Sequence, residues 1–599
     1  MKEAVFFVLL TSIIVLSASG VQANILVYYR IDTEVNRMPI SPYIYGTNFD
    51  WIKNSTIRKT GGNRTTGYNW ENNYSNAGTD WYNVSDDYLV QSLGVPWEDW
   101  LIPGRFLTYF HDASLAAGVT SIITLQMAGY VSADDWGEVY PWEVAPSYRW
   151  KQVVYAKGAP FCVPPGSPNT TDNYVYIDEC VNFLVKTYGY ANEPNGIKGY
   201  ALGNEPSIWD GKFPLIQPNH LLCSELINKS VALSKAVKNI DPNAEIYGPT
   251  EYGFNGYYSF QNASDWWSIS WQYGYSWFID YYLDQMHQAE IPAGGRLLDV
   301  LDLHWYPEAQ GDGQRIAFSS PPYSRANANA RMQAPRTLWD PEYTEDSWIA
   351  QWFGQFLPLL PTLFNSINTY YPGTKLAISE YNYGAEDHIS GGIATADVLG
   401  IFGKYGVYMA GFWQVLSTYP YVEAAFNMYR NYDGANSTFG DISVYSETSD
   451  KVNSSIYASV FDGNDSRLHL IVMNKNFDCT ISGTFDISSH RNFVQGRVWR
   501  FNNFTSDINE VSPSRSCVSD NLFVFNIPPL TVCHIVLQAV NPPEDLDGDG
   551  KVTITDVGIL CDQWLQQVDC SSQAGCADFD GSHYVDFFDF ARLAGELSH

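Results

Sequence analysis

Two glutamates stand at the ends of apolar runs. Glu205 follows Gly199-Tyr200-Ala201-Leu202-Gly203-Asn204, and Glu380 follows Leu376-Ala377-Ile378-Ser379. Such runs read as strands buried on both faces of a parallel sheet, where polar alternation disappears. A carboxylate just past the carboxyl end of a barrel strand stands where barrel enzymes keep their chemistry. Two of them, from different strands, can flank one glycosidic bond as acid/base and nucleophile. Asn204 can orient a sugar or hold the neighbouring carboxyl through its amide, and Tyr381 offers a hydroxyl beside Glu380. Either glutamate alone also fits a structural carboxylate. The pair, at two strand ends of one barrel, favours the catalytic reading.

Other strand ends supply the rest of a sugar site. His304-Trp305-Tyr306-Pro307-Glu308 closes one strand, and Gly411-Phe412-Trp413-Gln414 closes another. Trp413 is either a stacking floor for a sugar ring or a core aromatic at the barrel rim. Near the first strands, Arg64 and Trp70 bring a cation and a stacking ring. Arg64 could hold Glu380 ionised by charge pairing; as a surface arginine it would do nothing.

The elements that must position these residues follow from the patterning. Short apolar strands alternate with longer helical segments over residues 45–420, which predicts an α/β fold with a TIM-like (β/α)8 barrel. Over residues 421–540 strands recur with polar turns between them, a β-sandwich pattern. The strand within residues 24–44 has no helix after it and could join that sandwich. Asn541-Pro542-Pro543-Glu544 reads as a linker, and residues 545–599 as a small helical module. The 599-residue length itself suggests roughly two to four domains.

Composition narrows the partners. The chain is 45% hydrophobic and 17% charged, which supports globular cores. Its 20 Trp and 42 Tyr suit stacking on sugar rings, though large barrels and sandwiches also use many aromatics. A formal charge of −31 argues against nucleic acid and fits a neutral polymer, with carboxylates to spare for calcium. Residues 1–23 read as a secretory signal, with an apolar stretch from Ala4 to Leu16 and cleavage after Val21-Gln22-Ala23. No later run reaches the ~18 apolar residues of a membrane span. A soluble, exported protein is expected. Of the nine cysteines, Cys570 and Cys576 form the readiest bridge, and Cys162 with Cys180 a weaker candidate.

The tail carries a duplicated acidic loop, beginning at Asp545 and again 33 residues on at Asp578. In the first copy Asp545, Asp547, Asp549, Thr553 and Asp556 place oxygens at loop positions one, three, five, nine and twelve, and Lys551 offers its carbonyl at seven. In the second copy Asp578, Asp580, Ser582, Tyr584, Asp586 and Asp589 stand in register, with His583 where the turn glycine would be. Structural calcium is the expected ligand. A calcium-stabilised cap without a partner is the plainer alternative to a docking module.

The longer motifs resemble glycoside hydrolase family 44. They are Ile40 to Asn48, Gly61 to Trp81, Gly203 to Pro206, His304 to Glu308, Leu338-Trp339-Asp340, Ser379 to Gly384 and Gly400 to Met409, within residues 25–540. The resemblance implies a retaining endo-β-1,4-glucanase or xyloglucanase, Glu205 as acid/base, Glu380 as nucleophile and no organic cofactor. It also raises one calcium in the barrel, for which Asp134, Asp135 and Glu138 form an acidic loop. The tail resembles a type I dockerin, which implies a cohesin-bearing partner. A xylanase or mannanase of the same clan, or a non-catalytic polysaccharide-binding protein, are the rival readings.

Overall fold

The computed structural model describes residues 24–49, 52–511, 521–540, 544–548, 552–568, 570 and 575–597. The expected signal (1–23), most of the expected linker (541–543) and the loop residues Asp549 and Lys551 lie outside them.

Eight parallel strands close into a barrel: Gly46–Thr47, Ile57–Lys59, Thr120–Leu125, Gly199–Leu202, Glu245–Glu251, Val300–Trp305, Lys375–Tyr381 and Met409–Phe412. Chain order is also the order around the barrel, so each strand pairs with its neighbours in sequence. Gly46–Thr47 closes the ring by pairing with Gly411–Phe412 on one side and Arg58 on the other. The helices Cys223–Ile240, Phe278–Ala293, Leu359–Tyr370 and Ile389–Tyr405 cover the outside.

Strand alternation sorts the side chains into layers. Ile57, Ile122, Ala201, Tyr247, Val300, Ala377 and Met409 fill the interior as one apolar cluster. Two residues further along, Lys59, Asp302 and Ser379 form a polar layer, joined by Lys59 Nζ to Asp302 Oδ2 (3.3 Å) and Ser379 Oγ (2.7 Å). His304 stands one layer above Asp302. Glu380 should by parity point outward, like Ile378. Register shifts between Leu303 and His304 and between Ile378 and Tyr381 mark a bulge there. A bulge re-aims side chains, and here it brings Glu380 to the barrel mouth.

The second unit is a ten-stranded sheet around a core that includes Val27, Tyr29, Ile456, Leu470, Phe485 and Ile535. The strand Asn24–Asp32 lies inside it, antiparallel to Ile442–Thr448 and parallel to Thr480–Ser488. The β-pattern starts later than residue 421: Pro420–Arg430 is a helix packed on Ile389–Tyr405. Its buried stripe of Val422, Ala425, Phe426 and Tyr429 has helical spacing. Trp499, Phe501 and Val532 of the sheet join the barrel's own core, so the two units share one apolar interface.

At the carboxyl end, helices Ile554–Asp562 and Phe587–Glu596 share a small core of Leu546, Val552, Leu560, Ala577, Val585 and Leu593. A disulfide joins Cys570 to Cys576, while Cys162 and Cys180 are free. Among the described residues no helix is long and apolar enough to cross a membrane.

Candidate active site

Glu205 follows the fourth barrel strand and Glu380 lies in the seventh, and both carboxyls meet the His304 ring of the sixth. His304 Nδ1 lies 3.0 Å from Glu205 Oε1 and 3.3 Å from Glu380 Oε2. One oxygen of each carboxyl and the ring nitrogen all lie within 4.8 Å of one another. Three such groups would also count as a metal-type donor set, but here Nδ1 is committed to a hydrogen bond shared by the two carboxyls.

The two glutamates sit in different surroundings. Tyr306 Oη donates to Glu380 Oε2 (3.1 Å), and the Asn48 amide lies 3.5 Å from Glu380 Oε1 while donating to the Ser379 carbonyl (3.0 Å). Burial raises the Glu380 carboxyl; the His304 ring lowers it, Glu205 raises it, and Lys59 and the Tyr306 hydroxyl lower it. Glu205 takes a left-handed backbone (φ 50°, ψ 55°), pinned by its N–H to the Thr250 carbonyl (2.9 Å). Burial pushes its carboxyl up to about 7, with Asp80 raising it and Lys212 and Lys59 lowering it. Burial also drives His304 down to about 4, against the pull of Glu380. The ring is therefore neutral around pH 7, and its Nδ1–H form can donate to both carboxyls.

Several expected residues do converge here. Asn204 is buried, its amide 3.4 Å from Asn63 Oδ1 and its carbonyl accepting from Trp209 Nε1 (2.7 Å). Trp413 is half-buried and seated on Gly62, where a Cβ would fall 2.6 Å from the indole; both line an open cleft with Phe49, Asn63, Asp80 and Trp81. Gly62 has φ +80°, so glycine is required there on two counts.

Four expectations are corrected. Arg64 lies in the cleft wall but forks onto Asp86 (Nη2 to Oδ2 3.0 Å) with the Tyr88 ring beneath it, so it does not pair with Glu380. Trp70 is wholly buried, stacked on Phe183 with Nε1 on the Tyr176 carbonyl (3.2 Å), and offers no face to a sugar. Trp305 and Tyr381 are the outward neighbours of His304 and Glu380 and pack in the main core; Tyr381 meets Phe402 and Phe412 edge-on. In the acidic loop of Asp134, Asp135 and Glu138, Arg149 Nε donates to both Asp134 oxygens (3.1 and 2.9 Å).

Asn48, Lys59 and Asp302 are site residues that sequence reasoning passed over. A charge at the end of a short buried strand, such as Lys59 in Ile57–Lys59, was the available signal.

In the tail, Asp545, Asp547 and Asp556 bring oxygens within 4.8 Å, as do Asp578, Asp580 and Asp589. Asp556 and Asp589 also fold their loops: Asp556 Oδ1 accepts from Leu546 N (2.7 Å) and Asp589 Oδ1 from Phe579 N (2.6 Å). Thr553 and Asp586 cap the following helices, accepting from Thr555 N and Phe588 N. Ser582 Oγ donates to the Tyr584 carbonyl (3.0 Å).

Comparison with known proteins gives a consistent picture. A sequence model of glycoside hydrolase family 44 matches residues 74–309. Endoglucanase A of Paenibacillus lautus is 54% identical over 539 residues, covering 90% of this chain and 76% of that protein. The family 44 endoglucanase structure from Clostridium thermocellum superposes with a TM-score of 0.83 at 55% identity, covering 86% of this chain and 100% of that one. A Paenibacillus polymyxa family 44 xyloglucanase, solved with xyloglucan, gives 0.83 at 53% identity over 86% and 99% of the two chains.

Proposed function

The chain belongs to glycoside hydrolase family 44, and on that premise we propose that it cleaves internal β-1,4 bonds of xyloglucan or unbranched β-glucan with retention of configuration. The observation that carries this reading is the carboxyl pair itself. Oxygens within 4.8 Å of each other suit the ~5–5.5 Å separation of retaining enzymes and leave no room for the intervening water that inversion needs.

Glu380 is the nucleophile. It is the carboxyl that receives the Tyr306 hydroxyl and the Asn48 amide, both of which favour its charged form, while the His304 ring is shared with Glu205. Glu205 is the acid/base, held protonated near neutrality by burial. It gives its proton to the leaving oxygen as Glu380 attacks the anomeric carbon. Water then releases the glycosyl-enzyme, with Glu205 taking the proton back. Burial raises both carboxyls, and the Tyr306 hydroxyl opposes it at Glu380 alone, which is the asymmetry this division of labour needs. Trp413 supplies the ring face beneath the sugar, and its seat on Gly62 fixes its height. The structure of a family 44 xyloglucanase with xyloglucan supports that substrate for this chain.

The same reading extends to the chain ends: export through residues 1–23, two structural calcium ions in the tail loops and docking to a cohesin-bearing protein. Support for calcium is the gathering of three carboxylates in each loop, which a divalent cation neutralises. The test is reducing-sugar release from xyloglucan, carboxymethylcellulose, xylan and mannan by wild type, Glu205→Gln and Glu380→Gln. Activity on the two glucans that collapses in both variants is expected. Turnover confined to xylan or mannan would overturn the substrate, and polysaccharide binding without turnover would overturn the catalytic reading.

A further inference from the structure

We infer that Glu251, at the end of the fifth barrel strand, is a positioning residue that clamps the turn presenting Glu205 and so governs protonation of the leaving group. The inference rests on Glu205 being the acid/base.

Glu205 is a non-glycine residue in the left-handed region, a conformation that costs about 1–3 kcal/mol and persists only when its surroundings over-determine it. The determinants come from the fifth strand. The Glu205 N–H donates to the Thr250 carbonyl (2.9 Å), and Thr250 is itself left-handed at φ 60°. Thr250 Oγ1 is tied to Asp302 Oδ2 (3.1 Å), in the polar layer below the site. Two residues past Glu205, Ser207 Oγ donates to Glu251 Oε1, and the same oxygen accepts the Tyr252 N–H (3.0 Å). Glu251 therefore holds the far side of the Glu205 turn as Thr250 holds the near side.

The carboxyl has a built pocket. Glu251 is fully buried, and a Cβ at Gly256 would lie 2.4 Å from its Cγ and Oε1, so a glycine makes the room it occupies. Its second oxygen, Oε2, has no hydrogen-bond partner. The titratable groups facing it are Glu205, Cys223, Tyr252, Tyr257 and Tyr282, all neutral or acidic. Burial pushes the Glu251 carboxyl up to about 8, Ser207 and the Tyr252 N–H oppose this, and Glu205 adds to it. Near neutrality Glu251 is thus an uncharged acid that accepts from Ser207 on Oε1. A glutamine has the same shape and the same acceptor, whereas an alanine has neither.

This clamp makes a prediction that a general packing role does not. Leaving-group protonation limits cleavage of a sugar polymer but not of an aryl glycoside whose phenol leaves unaided. The experiment is kcat/KM for wild type, Glu251→Ala, Glu251→Gln, Ser207→Ala and Glu205→Ala on xyloglucan and on a dinitrophenyl β-cello-oligosaccharide. Glu251→Ala is expected to lose about 10–100-fold on the polymer and no more than about 3-fold on the aryl substrate. Glu251→Gln recovers polymer cleavage to within about 3-fold. Ser207→Ala, which removes the same hydrogen bond without touching the carboxyl, reproduces the selective loss in weaker form and serves if Glu251→Ala does not fold. Equal losses on both substrates in Ser207→Ala or Glu251→Ala, or no loss on the polymer, would overturn the clamp. Glu205→Ala separates the two readings: if it too loses both substrates equally, the acid/base assignment has failed rather than the clamp.

Discussion

Tyr306, Asn48 and His304 converge on Glu380, whereas Glu205 shares only the His304 ring, with its side chain 14% exposed against 6% for Glu380. Activity needs Glu380 ionised and Glu205 protonated, so kcat/KM should trace a bell. Its alkaline limb falls as pH rises through about 7, where Glu205 loses its proton. The two carboxyls are close enough to titrate as a unit, so both limbs report the pair. Tyr306→Phe removes a donor that favours charged Glu380, which raises that carboxyl and moves the acid limb to higher pH. A pH–rate profile of both proteins checks this, with a loss at the optimum of about 10-fold expected. An acid limb that stays in place would remove Tyr306 from the account.

Elements explain which residues the sequence could reveal. Glu205, His304 and Glu380 were legible because buried runs end beside them. Their outward neighbours Trp305 and Tyr381 were not, since parity along a strand is read only from a known face, and the bulge at Ser379–Glu380 breaks parity altogether. Trp70 sits in a turn and Arg64 in the single 3-10 turn Asn63–Thr65, where composition does not say which side meets solvent. The helix Pro420–Arg430 was hidden among strands because its apolar stripe is short. Close packing between elements is equally invisible in sequence. Gly400, in the helix Ile389–Tyr405, lies under the Tyr457 ring, and a Cβ there would fall 2.2 Å from it. Tyr457 Oη and Lys475 Nζ both bind Asp397 at 2.5 Å, so the ring has little freedom to retreat. Gly400→Ala should therefore destabilise the chain by about 1–3 kcal/mol, read as a lower denaturant midpoint with kcat of the folded enzyme unchanged. A midpoint at or above wild type would show that the interface yields.

The whole molecule is a barrel braced by a sheet, and the brace carries a buried histidine pair. His534 Nδ1 donates to the Met428 carbonyl (2.7 Å) of the bracing helix, and its Nε2 lies 3.0 Å from His469 Nδ1. Burial drives His534 down to about 3 and His469 well below its ordinary value. Both are neutral when folded, while unfolded histidine protonates near ~6.5. Stability is thus full above that pH and lost as pH falls from it toward 3, by up to about 1.4 kcal/mol per pH unit for each ring. Denaturation of wild type and His534→Asn at pH 7 and 5 should show a shallower pH dependence in the variant; identical slopes would remove the pair from the acid response. The fold class was readable at this scale from strand–helix alternation followed by strands alone, but the shared core between the two units was not. What the assembled molecule must finally deliver is one stereochemical outcome, set by the carboxyl separation. Proton NMR of the first reducing ends released from a cello-oligosaccharide reads it directly. The β-anomer should appear first and mutarotate later; α-anomer as the initial product would contradict double displacement and Glu380 as nucleophile.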